Sequence, residues 1–206
     1  MDSTILAPDH PRWPARLTVR LAPKAPRELF ALGNPALLAE PLTALFCSTH
    51  CPGEAILRAY DQAAHWRDTG RAVIGGFHSP MEQECLRILL RGPQPVVICP
   101  ARGLPARLDP VLCAPLAAGR LLVLTAFPAT VRRATATLAA RRNLLVAALA
   151  SEVWIAHLTP GGRMARLAAC VAAWTGPTEA ALTCPPPFLT PSSPTGSASP
   201  LPDARP

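Results

Sequence analysis

The residues of this chain best suited to chemistry gather in five loops, each lying between a short apolar run and a helix-length segment. The first is Cys47-Ser48-Thr49-His50-Cys51-Pro52-Gly53. Small hydroxyl residues and a glycine ahead of a helix suit an anion held by backbone N–H groups and the helix dipole. An ordinary capped turn has the same composition. The second loop, Gly75-Gly76-Phe77-His78-Ser79-Pro80-Met81-Glu82, is the most informative. Ser79 fits an N-cap, Pro80 the first helical position and Glu82 the third, which together make a capping box. The two glycines allow close backbone approach to a ligand, and His78 either faces that ligand or stands in solvent. Glu82 has a catalytic reading too, but reciprocal capping accounts for it without chemistry.

The third loop, Pro100-Ala101-Arg102-Gly103-Leu104, either offers an arginine to a phosphate or carries an ordinary surface arginine. The fourth begins Thr125-Ala126-Phe127-Pro128 and leads into a helix whose apolar stripe is Leu138, Arg142, Leu145 and Leu149. An unpaired guanidinium on a buried face is costly. Either the helix breaks near Arg142-Asn143, or Arg142 points into a ligand crevice, or it snorkels to water. The fifth loop, Thr159-Pro160-Gly161-Gly162-Arg163, is a second glycine-rich turn feeding a helix N-terminus, again suited to an anion.

The elements that must position these loops are legible from Leu42 onward. Apolar runs of strand length, Leu42–Cys47, Ala72–Gly76, Pro95–Cys99, Leu121–Thr125 and Val153–Leu158, alternate with helical stretches. Those stretches are Gly53–Thr69, Pro80–Arg91, Pro110–Ala118, Val131–Ala150 and Arg163–Trp174. The runs are continuous rather than alternating, as in strands buried on both faces of a parallel sheet. The expected fold is therefore α/β: a doubly wound, mostly parallel, Rossmann-like sheet with helices on both faces. In such a sheet ligands bind beyond the carboxyl ends of the strands, where all five loops fall.

Residues 1–40 read as a Pro-rich lead-in with a short helix around Ala25–Leu32, 41–183 as the Rossmann-like domain with a last short strand at Thr178–Leu182, and 184–206 as a disordered Pro/Ser-rich tail. No signal peptide and no long apolar span is evident, so a soluble, cytoplasmic protein without membrane association is expected.

Composition narrows the function. Twenty basic residues against thirteen acidic ones leave a net charge of +7, which favours anionic partners. Seven cysteines are scattered without a CxxC pair, as expected for reduced thiols. Cys47, His50 and Cys51 make a zinc site only with a fourth ligand from elsewhere, so no metal is expected. No Ser-His-Asp set, carboxylate pair or P-loop can be assembled from these motifs. Catalysis and a cofactor are therefore not expected.

The order of these motifs resembles the DprA/Smf family of DNA-processing proteins, and more broadly the SLOG group of Rossmann-like nucleotide-binding domains, over roughly residues 14–174. APRELFALGNPALL is similar to the family's opening segment, and GRAVIGGFHSPMEQECL to its glycine-containing turn and helix. VVICPARGL and LLVLTAFP stand where its third- and fourth-strand motifs stand. ARRNLLVAALASEVWIA resembles its RNR segment, and TPGGRMARLAACVA its last small-residue turn. The resemblance carries Arg142 and Asn143 onto the RN pair, Ser48 onto the serine after the first strand, and Gly76, Gly161 and Gly162 onto the glycine turns. It implies single-stranded DNA held in a basic pocket, RecA as a partner in natural transformation, and a homodimer.

This chain departs from the pattern. Cys47-Ser48-Thr49 replaces Gly-Ser-Arg, Leu144 replaces the second arginine of RNR, and Thr125-Ala126 replaces Ser-Glu. The Pro/Ser-rich tail stands where a winged helix is often found.

The candidate ligand or DNA site is thus Ser48, Thr49, Gly75, Gly76, Phe77, His78, Ser79, Arg102, Phe127, Arg142, Asn143, Gly161, Gly162 and Arg163. Two other readings stand beside DNA binding. One is a small-nucleotide SLOG protein. The phosphoribohydrolases of that group share only Pro160-Gly161-Gly162 of their PGGxGTxxE pattern with this chain, which counts against an enzyme. The other is a scaffold or interaction protein with a vestigial site, its tail recruiting a partner.

Overall fold

The computed structural model describes residues 3–48 and 51–175. Five strands form the parallel heart of the sheet: β3 (Thr43–Phe46), β4 (Val73–Gly75), β5 (Val96–Ile98), β6 (Leu121–Thr125) and β7 (Glu152–Ile155). Two more extend it: β2 (Leu29–Gly33) pairs antiparallel with β6, and β1 (Ser3–Leu6) pairs antiparallel with β2, giving the order β1-β2-β6-β5-β4-β3-β7. The five strands expected between Leu42 and Leu158 are present, with bounds within a few residues of those expected. Every residue of β3, β4 and β6 is buried, as the continuous apolar runs required.

Helices α1 (Ala15–Leu21), α5 (Ala136–Leu149) and α6 (Arg163–Thr175) cover one face. There Phe46, Ile74, Val97 and Leu124 pack with Leu17, Leu145, Leu149 and Leu167. Helices α2 (Gly53–Asp68) and α3 (Pro80–Leu90) cover the other, where Leu45, Val73 and Val96 meet Ala63, Trp66, Cys85 and Leu89. The Trp66 and Trp154 rings meet edge to face at 5.6 Å and tie α2 to β7. The expected doubly wound, Rossmann-like architecture is the observed one. Alternate side chains of the parallel strands serve opposite cores, and this two-sided burial explains why none of the five shows a polar face.

Three local expectations are corrected. The helix expected around Ala25–Leu32 is instead strand β2, because Leu29, Ala31 and Leu32 are buried by pairing with β6. That non-local pairing outweighs the local helix propensity. The helix expected over Val131–Ala150 starts only at Ala136, where the Thr135 hydroxyl accepts from the Leu138 N–H at 3.2 Å. The helix expected over Pro110–Ala118 divides into a 3₁₀ turn (Pro110–Leu112) and the short α4 (Cys113–Ala117).

The N-terminal stretch is bound into this architecture. Arg20 on α1 donates to the carbonyls of Ala150 and of Ala148 (3.2 Å), and Arg16 donates to that of Leu149 (3.1 Å). These are the orphan acceptors at the C-terminus of α5. No helix among the described residues is long and apolar enough to cross a membrane. The strand expected at Thr178–Leu182 and the tail lie outside the described residues.

Candidate functional site

Strands β3, β4, β5 and β6 follow in order from one side of β3, and the chain then returns to place β7 on the other. The order reverses between β3 and β7, and open α/β sheets bind ligands at such a switch point. A crevice of about 770 Å³ opens there, beyond the carboxyl ends of the strands. Its walls are the turn after β3 (Cys47, Ser48), the start of α3 (His78, Ser79, Glu82), one face of α5 and the start of α6. On α5 that face carries Ala136, Ala140 and Asn143, at helical spacing. Gly162, Arg163 and Arg166 complete the wall from α6.

The floor is set by Arg142. Helix α5 runs unbroken through it, which removes one of the alternatives left open by the sequence. The side chain is 5% exposed. It passes over the backbone at Gly76, where any Cβ would fall inside the guanidinium, and donates to the Cys99 carbonyl at 3.0 Å. Its Nε is buried and has no protein partner among the described residues. Burial pushes its pKa below the ordinary value, and the nearby Glu82 carboxylate partly offsets that. Gly76 is therefore required by packing: it is the slot through which Arg142 links the ends of β4 and β5.

The capping box at α3 is formed. The Ser79 hydroxyl accepts from the Glu82 N–H at 3.3 Å, and Glu82 Oε2 accepts from the His78 and Ser79 N–H groups at 2.9 and 3.1 Å. Glu82 lines the crevice but serves the cap. Among the described residues it is also the only acidic one on the walls, against Arg142, Arg163 and Arg166. The N-termini of α3, α5 and α6 border the same space; those of α5 and α6 bring a partial positive charge, while Glu82 offsets that of α3.

The buried cysteines near the crevice are poor nucleophiles. Burial raises the Cys47 thiol, with the Glu82 charge adding to it. Burial also pushes Cys85 and Cys99 up to about 12, so both stay protonated at neutral pH.

Of the residues expected from sequence, the crevice brings together Ser48, His78, Ser79, Arg142, Asn143, Gly162 and Arg163. Others stand elsewhere. Gly75 lies within β4, and the Phe77 ring packs close over it, buried in the α2/α3 core and so not presented to a ligand. Phe77 holds a positive φ of 47°, the bend that turns the chain from β4 into the cap. Phe127 is buried under the Arg141 guanidinium, 5.6 Å from the ring centre. Arg102 is exposed in the loop after β5, outside the crevice. Gly161, with φ of 70°, makes the turn whose next residue, Gly162, donates to the Thr159 carbonyl at 2.9 Å. Thr49 lies outside the described residues. Sequence reasoning missed Arg166 and Thr137, although Arg166 stands one helical turn beyond Arg163 and that spacing was a usable signal.

No family model and no curated protein matches the chain. Solved structures do. DNA processing protein A (DprA) from Helicobacter pylori, a protein with its own single-stranded DNA binding mode, superposes with a TM-score of 0.66 over 84% of this chain and 78% of its own. DprA from Streptococcus pneumoniae superposes with a TM-score of 0.68 over 84% of this chain and 61% of its own. The fold is that of DprA. Sequence identity is 15% in both comparisons, so the likeness lies in the arrangement of elements. Within this DprA-like fold the RN pair, Arg142-Asn143, divides its work: Arg142 forms the floor beneath the crevice and Asn143 stands in its wall.

Proposed function

We propose that this chain is a DprA-like, non-catalytic protein that binds single-stranded DNA in the crevice between β3 and β7. The observation that carries the reading is the charge of the walls. The N-termini of α5 and α6 and the guanidiniums of Arg163 and Arg166 face one space whose single carboxylate, among the described residues, is engaged in capping α3. Phosphate oxygens match that environment, through backbone N–H groups and arginine forks. Ser48, Thr137, Ser79 and Asn143 add neutral polar groups for sugar and phosphate. By likeness to DprA proteins, the role is in DNA recombination during natural transformation, with RecA as a partner and a homodimer as the assembled form.

One feature supports a second reading, a small nucleotide. The volume of about 770 Å³ lies in the range of small-ligand pockets. Among the described residues His78 is the only aromatic ring on the walls, which limits base stacking.

The deciding experiment is fluorescence anisotropy with labelled single-stranded DNA across a salt titration, comparing wild type with Arg163→Gln/Arg166→Gln. These exposed arginines are better probes than Arg142, whose removal disturbs the core. Wild type should bind with an affinity that falls steeply with salt, and the double variant should lower the log–log slope by about 1.4, near 0.7 per lost contact. Absence of binding at low salt, together with a raised melting temperature in the presence of a nucleotide, selects the second reading.

A further inference from the structure

The crevice accounts for only part of the chain's unpaired positive charge. Between Glu84 and Glu152 the sequence holds a single acid, Asp109. That carboxylate caps a turn by accepting from the Val111 N–H at 3.1 Å. The same span supplies the loops after β5 and β6, and the fold stitches them together. The Gly103 N–H donates to the Val131 carbonyl at 2.9 Å, and a Cβ on Gly103 would lie 2.7 Å from the Pro128 carbonyl oxygen, so these backbones are in contact. Arg102 adjoins one side of this seam, Arg132 and Arg133 the other, and all three are exposed. Arg141 reaches the same place from α5, held over the Phe127 ring.

None of these four arginines forms an ion pair among the described residues. The ion pairs of the described residues lie elsewhere: Arg58–Glu54, Arg67–Asp68 and Arg87–Glu84 on the α2/α3 side, and Arg71–Glu152 at the amino ends of the strands. Among the described residues no ion pair lies at the carboxyl ends of β5 and β6.

We infer that Arg102, Arg132, Arg133 and Arg141 form a second phosphate-contacting surface, which continues the path of a nucleic-acid strand from the crevice across the N-terminal turns of α5. The inference rests on the crevice reading for one end of the path. Helix α5 links the two surfaces directly: Ala136 and Ala140 line the crevice, while Arg141 and the residues leading into the helix face the seam. A strand is favoured over an acidic peptide because the patch adjoins a crevice suited to phosphate. Arginine forks also match phosphodiester oxygens in pairs. Phe127 lies beneath Arg141 and buried, so the surface contacts the backbone and does not stack bases. It should therefore be indifferent to sequence.

The test compares oligothymidylates of about 6 and about 20 nucleotides, lengths that bracket a single binding groove. Arg132→Gln/Arg133→Gln should bind the short strand as wild type does. It should bind the long strand about tenfold more weakly at low salt, with a slope reduced by about 1.4. Equal losses on both lengths, or no loss on the long one, overturn the second surface. Preferential binding of poly-glutamate over the long strand also overturns it and assigns the patch to an acidic peptide. The crevice reading fails separately, when Arg163→Gln/Arg166→Gln leaves short-strand affinity unchanged. A wild type that binds neither length overturns both.

Discussion

Arg142 fills the space that a side chain at Gly76 would need, and from there donates to the Cys99 carbonyl at 3.0 Å. One cation thus joins the ends of two parallel strands beneath the crevice. Gly76→Ala should displace it. Overpacking a buried site of this kind costs about 2 kcal/mol. The expected outcome is a lower urea midpoint with an unchanged m-value, and a midpoint equal to wild type would show that Arg142 moves aside freely.

The α3 cap makes a different demand. Ser79→Ala removes the acceptor for the Glu82 N–H and should cost about 1 kcal/mol, the usual effect of losing an N-cap hydroxyl. Chemical denaturation of the variant reads this directly. A much larger loss of DNA affinity than of stability would mean that Ser79 touches the ligand as well.

Alkaline pH should weaken the fold through its thiols. Burial pushes Cys85 and Cys99 up to about 12, well above the ordinary thiol value of about 9. Their folded forms stay protonated while the unfolded chain ionises, so this contribution is complete below about pH 9 and is lost as pH rises toward 12. The slope is about 1.4 kcal/mol per pH unit for each thiol in that window. Melting temperatures measured from pH 8 upward should fall, and Cys85→Ala should fall less steeply than wild type. The exposed Cys113 and Cys170 should react with a thiol reagent in the native state, whereas Cys85 and Cys99 should react only after denaturation.

The clamp between α1 and α5 predicts that the N-terminal stretch is needed for stability. Arg20→Ala strips the carbonyls of Ala148 and Ala150 of their charged donor and should cost about 2 kcal/mol. Hydrogen exchange should then accelerate at the C-terminal turn of α5 before it does in β3 or β4. Unchanged protection there would show that water replaces the guanidinium at no cost.

Sequence by itself determined the elements whose signals are local or periodic. Apolar runs buried on both faces identified the five parallel strands, and Ser79, Pro80 and Glu82 identified the start of α3, because a capping box is written within four residues. The same logic placed Ser48, His78, Asn143, Gly162 and Arg163 at the carboxyl edge of the sheet.

Tertiary structure decided what depends on contacts between distant residues. Leu29–Gly33 is a strand only because β6 is there to pair with it. Phe77 and Phe127 are apolar loop residues in the sequence, and packing against α3 or beneath Arg141 removed them from the ligand's side. The fate of Arg142 could not be read from its helical stripe: burial of a guanidinium is tolerable only where a carbonyl from another strand receives it and a glycine from a third segment makes room. Those partners lie 43 and 66 residues away along the chain, beyond the reach of any periodicity.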